Sequence, residues 1–188
     1  GGEGGGHTGT IPTSLLLPQV VDGVGGSEVV VLGAGGFFDG RGLVAALSYG
    51  AHGVAMGTRF LLTAESQVPD SITEIYMQTP LTGTVVTTAI DGAPQRVIRT
   101  AMIDALEKSP GLLRFPRAAG NALQFARQAG ISLPALVKTG LEMKKDQELT
   151  WAQVALAANA PMMTKATMVD GDAQVGILPT GQVVGAIE

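Results

Sequence analysis

His7 stands in a run of glycine, Gly4-Gly5-Gly6-His7-Thr8-Gly9. An imidazole carried on bare backbone lets a ligand come close, and histidine titrates near neutral pH, so it can take a proton from carbon. A loop histidine bonded to a carbonyl would look the same in sequence. Two further glycine turns, Gly33-Ala34-Gly35-Gly36 and Gly57-Thr58, each follow a short apolar run. Gly35-Gly36 leaves backbone N–H groups unshielded by side chains, and Gly57-Thr58 offers the same with a hydroxyl added. Two such turns beside a helix N-terminus make a phosphate cradle. Either alone could be a tight turn that needs glycine for steric reasons. Two of them, one βα unit apart, favour the cradle.

Other side chains with chemical potential have plainer explanations. His52 lies at the opposite end of the βα unit from these turns and reads as structural. Glu3 could orient His7 or pair with a basic residue. Arg59 could face a phosphate or pair with Glu65 or Asp39, and pairing is the simpler reading. Lys144 and Lys145 read as a solvated helix end that could also meet an anionic substrate such as a coenzyme A phosphate. Trp151, Met162 and Met163 read as core, with an apolar substrate pocket as the other use.

These residues need elements to position them. Residues 1–13 read as a Gly/Thr/Pro loop, followed by a helix around residues 16–24 with Pro18 in its first turn, where proline is tolerated. Residues 28–32 (EVVVL) read as a buried parallel strand. Asp39 is placed to cap a helix over residues 41–49 that Gly50 closes. Residues 53–56 form a second short buried strand. Strand, helix, strand is a crossover that makes the sheet parallel, with both glycine turns at its ligand-binding edge. Beyond Val68-Pro69-Asp70 the glycines thin out. Apolar spacing predicts helices over 133–145 and from a capping box at Thr150 and Gln153, with a less regular one over 114–129. Residues 84–88 are β-prone, and residues 176–184 return to loop or strand.

Composition bounds the alternatives. At 45% hydrophobic and 15% charged, this 188-residue chain is not disordered. A net charge of −4 gives no basic footprint for nucleic acid. With no cysteine and two histidines there is no disulfide framework, thiolate site or His-rich metal centre. No run matches the ~20 apolar residues of a membrane span. A soluble, cytoplasmic protein is the expectation, with no metal and no membrane partner. Seventeen of the 27 glycines fall in residues 1–57, so the excess is local and belongs to the turns. The chain opens in mid-motif without Met, and further residues before Gly1 are expected.

Taken together, residues 2–9 (GEGGGHTG), 16–22 (LLPQVVD), 33–42 (GAGGFFDGRG) and 50–60 (GAHGVAMGTRF), with Glu65-Ser66 behind, resemble the nitronate monooxygenase (2-nitropropane dioxygenase) family. Order and spacing agree over residues 1–66. Residues 141–185, with GLEMKKDQELTW and GILPTGQVVG, resemble its actinobacterial branch, associated with steroid-ring degradation through coenzyme A thioesters. The resemblance implies an FMN-dependent (β/α)8 barrel. It makes His7 the catalytic base, and Gly5, Gly35, Gly36, Ala55, Met56, Gly57 and Thr58 positions that hold FMN. The chain departs from the family at Ala55, where Gln is frequent, and at Thr8, where nitronate-acting members often have Arg.

The expected fold is therefore α/β: the C-terminal part of a TIM barrel, about strands 6–8, with strand 6 ending at Gly1, Val29–Leu32 as strand 7 and Val54–Met56 as strand 8. Strands 1–6 would precede residue 1. Residues 1–68 would bind FMN, and residues 69–188 would form a mostly helical substrate-side segment. The expected function is an FMN-dependent oxidoreductase in which His7 removes a proton alpha to an activating group of a nitronate-type substrate. The rival keeps FMN and acts on an acyl-CoA thioester, which Thr8 and the second half of the chain favour. A barrel that binds a phosphorylated metabolite without flavin is the further alternative, and a truncated interaction module is the non-enzymatic one.

Overall fold

The structure, a computed structural model, describes residues 1–108 and 159–187, with Gly120 and Lys138 between them. The chain divides into two compact units. The first is Gly1–Val86, Pro94–Arg99 and Leu178–Glu188; the second is Thr87–Ala93 and Thr100–Ile177. The expected boundary after residue 68 falls inside the first unit.

The first unit carries β1 (Gly6–His7), α1 (Thr13–Gly23), β2 (Leu32–Ala34), α2 (Gly40–Ser48), β3 (Gly53–Ala55), α3 (Gly57–Leu61) and α4 (Asp70–Gln78). It also holds most of β4 (Thr84–Thr87), β5 (Gln95–Ile98) and a 3-10 helix (Gln182–Ala186). β2 and β3 pair in parallel, Leu32 with Gly53 and Ala34 with Ala55, and α2 makes the crossover. Asp39 caps α2 as expected, accepting the Gly42 amide at 3.1 Å. Gly50 ends it with a φ of 87°, where a Cβ would be strained. Leu17, Val31, Phe37, Ala46 and Ala51 form the core under this pair.

Three local expectations are corrected. The strand predicted over residues 28–32 lies at Leu32–Ala34, and it is covered on one face only. Val29, Val30 and Leu32 are 53%, 65% and 59% exposed, while Val31 between them is 7% exposed. Successive strand residues point to opposite faces. Among the described residues β2 has one strand neighbour, and α1 and the Phe37 ring cover one side. Helix α1 starts at Thr13, three residues early, so Pro18 lies in its interior rather than its first turn. The cause is Glu3, whose carboxylate accepts the Thr13 amide at 2.9 Å and gives the helix a cap from outside. Beyond residue 69 the described residues include two strands, β4 and β5, where the sequence reading has only a short β-prone piece at 84–88.

β5 joins β1 and β4 in a three-stranded sheet of order β1-β5-β4. β1 runs antiparallel to β5, Gly6 opposite Arg96 and His7 opposite Gln95. Pro179 bridges to Val97, so residues 176–181 are loop with one bridge, and the 3-10 helix takes over at Gln182. Tyr76 on α4 is fully buried. Its hydroxyl donates to the Pro179 carbonyl at 2.8 Å, and burial pushes the phenol pKa far above its ordinary value.

The second unit contains α5 (Ala101–Lys108) and α6 (Asn159–Met168). Met163 is buried there, and its carbonyl accepts the Ile177 amide at 3.0 Å, which fits the core reading of this residue. The helices predicted over 114–129 and 133–145, the Thr150 capping box, Lys144, Lys145 and Trp151 lie outside the described residues. Among the described residues no helix is long and apolar enough to cross a membrane.

Candidate functional site

The site is built from the bottom of loop 1–9 upward. The Gly2 amide donates to Ile11 O at 2.7 Å, closing the loop on itself. Arg96 reaches in from β5 and donates to the Gly2 carbonyl at 3.0 Å and to the Thr84 hydroxyl at 2.9 Å. Burial lowers the pKa of its guanidinium, and the nearby Glu3 charge opposes that shift. Glu3 turns away from His7 towards α1. Burial would raise its carboxyl pKa, but the Thr13 hydroxyl and amide outweigh that and hold it below the usual range. The Thr13 hydroxyl donates to Glu3 Oε2 at 2.8 Å and lies 2.9 Å from the Gly35 carbonyl. One threonine therefore ties the first loop to the first glycine turn.

Gly35 and Gly36 both have positive φ, 96° and 84°. A Cβ on Gly35 would lie 2.9 Å from the Gly4 nitrogen, so loop and turn pack backbone to backbone. Gly5 packs just as closely on the other side, where a Cβ would lie 2.5 Å from the Thr180 carbonyl carbon. Gly57 and Thr58 open α3, where first-turn amides have no acceptor inside the helix. A Cβ on Gly57 would meet nothing within 4 Å. The Thr58 hydroxyl accepts the Gly181 amide at 2.8 Å and lies 3.4 Å from the Thr180 hydroxyl.

A cavity of about 500 Å³ opens among these pieces. Seven of the eight predicted site residues line it: Gly5, His7, Gly35, Gly36, Ala55, Gly57 and Thr58. The eighth, Met56, does not. It lines a second, open groove of about 550 Å³ together with Phe38, Arg41, Arg59 and Phe60. Strand alternation sends neighbouring residues to opposite sides, and Arg59 goes with Met56. Asp39 pairs with Arg41, whose Nε donates to Oδ2 at 2.6 Å. The Arg41 bond and the Gly42 amide hold the Asp39 carboxyl below its usual range. His52 is structural as expected, its Nδ1 accepting the Val31 amide at 3.1 Å.

Four contributors were not singled out from the sequence. Gln95 places its Nε2 3.2 Å from His7 Nε2. Thr180 and Gly181 close the wall behind Thr58, and Arg96 supports the loop. The bonds that tie them to His7, Gly2 and Thr58 span 88 to 123 positions, so no local spacing could reveal them. The glycine-rich run at 176–184 was the one visible signal.

The nitronate monooxygenase family model matches residues 1–188. A Mycobacterium tuberculosis protein named (3aS,4S,5R,7aS)-5-hydroxy-7a-methyl-1-oxo-octahydro-1H-indene-4-carboxyl-CoA dehydrogenase is 53% identical over 100% of this chain and 53% of its own length. The protein of that name from Rhodococcus jostii is 51% identical over 100% of this chain and 52% of its own length. A probable nitronate monooxygenase from Staphylococcus saprophyticus is 40% identical over 57% of this chain and 33% of its own length. The fold is similar to FabK from Thermotoga maritima (TM-score 0.65, 28% identity, 100% of this chain and 47% of that one). It is also similar to nitroalkane oxidase from Streptomyces ansochromogenes (TM-score 0.60, 26% identity, 99% and 45%). The chain spans about half the length of the two coenzyme A dehydrogenases that it matches. Matched along its whole length, this chain belongs to the nitronate monooxygenase family.

Proposed function

We propose that this chain carries the FMN site of an oxidoreductase acting on the coenzyme A thioester of a cyclic carboxylic acid. The observation that carries the reading is the single cavity shared by His7 and both glycine turns. Its volume falls in the range of small-ligand and cofactor sites, ~300–1,000 Å³. The residues fit a phosphate-bearing flavin. The amides of Gly57 and Thr58 are first-turn amides, and the open space beside Gly57 leaves room for an anion. The one carboxylate in the wall, Glu3, is engaged by Thr13. Gly35, Gly36, Gly57 and Thr58 would hold the phosphate, with Gly5 and Ala55 beside it. Met56 would act only through its backbone, because it lines the other groove. Bound FMN supplies the electron-accepting or electron-donating chemistry. His7 receives or returns the proton on the carbon alpha to the thioester carbonyl.

In this reading β2 and β3 are strands 7 and 8 of a (β/α)8 barrel whose earlier strands lie before residue 1. Cofactor binding in residues 1–68 and substrate binding in residues 69–188 stay part of the same proposal. The thioester is favoured over a nitronate by the two coenzyme A dehydrogenases matched over the whole chain and by Thr8 after His7. A nitronate substrate remains the second reading, supported by the Staphylococcus relative. The test is purification of the full-length protein. FMN should be released on denaturation, and turnover should be compared on a panel of cyclic acyl-CoA thioesters and on a nitronate. A colourless protein without FMN would overturn the cofactor assignment, and turnover of the nitronate alone would overturn the thioester.

A further inference from the structure

Thr13 faces two acceptors with one hydrogen to give. Its hydroxyl oxygen lies 2.8 Å from Glu3 Oε2 and 2.9 Å from the Gly35 carbonyl. A hydroxyl carries a single donor, and an ionised carboxylate and a carbonyl only accept. While Glu3 is ionised the two oxygens compete. The carboxylate wins, because a hydrogen bond to a charged acceptor is about twice as strong as one to a neutral acceptor. Thr13 is buried at 6% exposure, so water is a poor substitute for the Gly35 oxygen. A proton taken from water onto Glu3 Oε2 reverses the order. That O–H donates to the Thr13 oxygen, and the Thr13 hydrogen turns to Gly35. Glu3 Oε1, 3.2 Å from the Thr13 amide, still caps α1.

We infer that Thr13 is a positioning residue of the Gly35–Gly36 turn and that it gives its hydroxyl hydrogen to the Gly35 carbonyl when Glu3 is neutral. This rests on the proposal that the turn holds the FMN phosphate. The Gly35 carbonyl and the Gly36 amide belong to one peptide. Hydrogen bonds in a chain polarise one another, so a donor on the Gly35 oxygen makes the Gly36 N–H a better donor to an anion. The same proton removes negative charge from the cavity wall, where Glu3 stands. Its side chain lies 3.5–3.7 Å from where a Cβ of Gly36 would be. Both effects favour an anion on the turn, and the linkage is reciprocal: phosphate binding raises the Glu3 pKa and takes up a proton in the acid range. Two positive groups oppose this by favouring the carboxylate, the Arg96 guanidinium from β5 and the Gly1 amino group on the same loop. His7 shares the cavity wall, and Arg59 of α3 lines the other groove. Residues 33–36 and 179–183 carry no charge, and the one charged residue of α1, Asp22, lies at its far end.

The experiment combines carbon-13 NMR of the Gly35 carbonyl with flavin titration of the full-length protein. Glu3→Gln stands in for the neutral state: its side-chain amide donates to the Thr13 oxygen, and the hydroxyl turns to Gly35. In the flavin-free protein at neutral pH the Gly35 carbonyl signal should lie further downfield in Glu3→Gln than in the wild type. FMN should bind Glu3→Gln about 3- to 10-fold more tightly at neutral pH, the scale of one hydrogen bond. A side chain that only braced the loop would weaken binding instead. Adding Thr13→Val to Glu3→Gln should cancel the signal shift and reduce the gain in affinity, and Thr13→Ser in its place should restore both. An unmoved Gly35 signal in Glu3→Gln overturns the inference whether or not Thr13→Val folds. So does a gain in affinity that survives in full beside Thr13→Val, because it would then be relief of charge repulsion alone. If the Gly35 signal moves as stated but no form binds FMN, the reading of the cavity fails and the link from Glu3 through Thr13 to the turn stands.

Discussion

The amide of Gly181 donates to the hydroxyl oxygen of Thr58 at 2.8 Å, across 123 positions of sequence. Both residues are buried, so neither group has water as a substitute. Thr58→Val keeps the shape and removes the acceptor, leaving the Gly181 N–H unsatisfied. The expected cost is about 1–3 kcal/mol of stability, read as a lower urea midpoint. Thr58→Ser keeps the oxygen and should stay close to wild type. Equal losses in both variants would mean that the methyl group, not the hydrogen bond, matters.

Two glycines of the candidate site should behave differently. Gly5→Ala drives a methyl into the Thr180–Gly181 backbone at 2.5–2.6 Å, which has to shift. It should lower the melting temperature even without ligand. Gly57→Ala has open space around the new methyl. It should fold normally and lose affinity for FMN, measured by titration of the flavin-free protein. A Gly57→Ala protein that binds FMN as the wild type does would remove this turn from the cradle.

Stability should fall in acid partly through Glu3. Its carboxyl titrates lower in the folded protein than the ordinary value of 4.5. The unfolded chain therefore binds the proton first, and the contribution is present above pH 4.5 and lost as pH falls through the lowered folded value. Glu3→Gln cannot ionise. The gap in melting temperature between wild type and Glu3→Gln should be widest near neutral pH and narrow below the ordinary carboxyl range. A gap that is constant with pH would assign the difference to packing.

His7→Asn should retain FMN, because the proposed cradle is backbone. It should slow proton abstraction from the substrate carbon, where a general base contributes ~10²–10⁴-fold. Loss of hydrogen–deuterium exchange at that carbon is the direct measurement. A substrate supplied already as the anion should lose much less. Equal losses on both forms, or loss of flavin, would make His7 structural.

The parts of the site that follow from local rules were legible. Asp39 before Gly40-Arg41-Gly42, Gly50 after Tyr49, and glycine turns after two short apolar runs all follow from capping and backbone sterics within a few residues. The crossover β2–α2–β3 followed from the same signals. The register of β2 was not legible. EVVVL looks buried from composition, but burial depends on what covers each face, and only Val31 and Gly33 meet the helices. The start of α1 depended on Glu3, ten positions away. β5 reads QRVI, which carries no strong strand pattern. Gln95 reaches His7 only because that strand lies across from it.

The first unit is written in three separate stretches of chain, and its cavity wall includes Pro179, Gly181 and Val183. Those residues come after both glycine turns in the chain. The βαβ piece can form before they are made, but the pocket around His7 cannot close until residues 179–183 have been made. Termination before residue 179 would therefore release a product that holds both glycine turns and lacks the strap behind Thr58. Cofactor capture on the ribosome should wait for that strap.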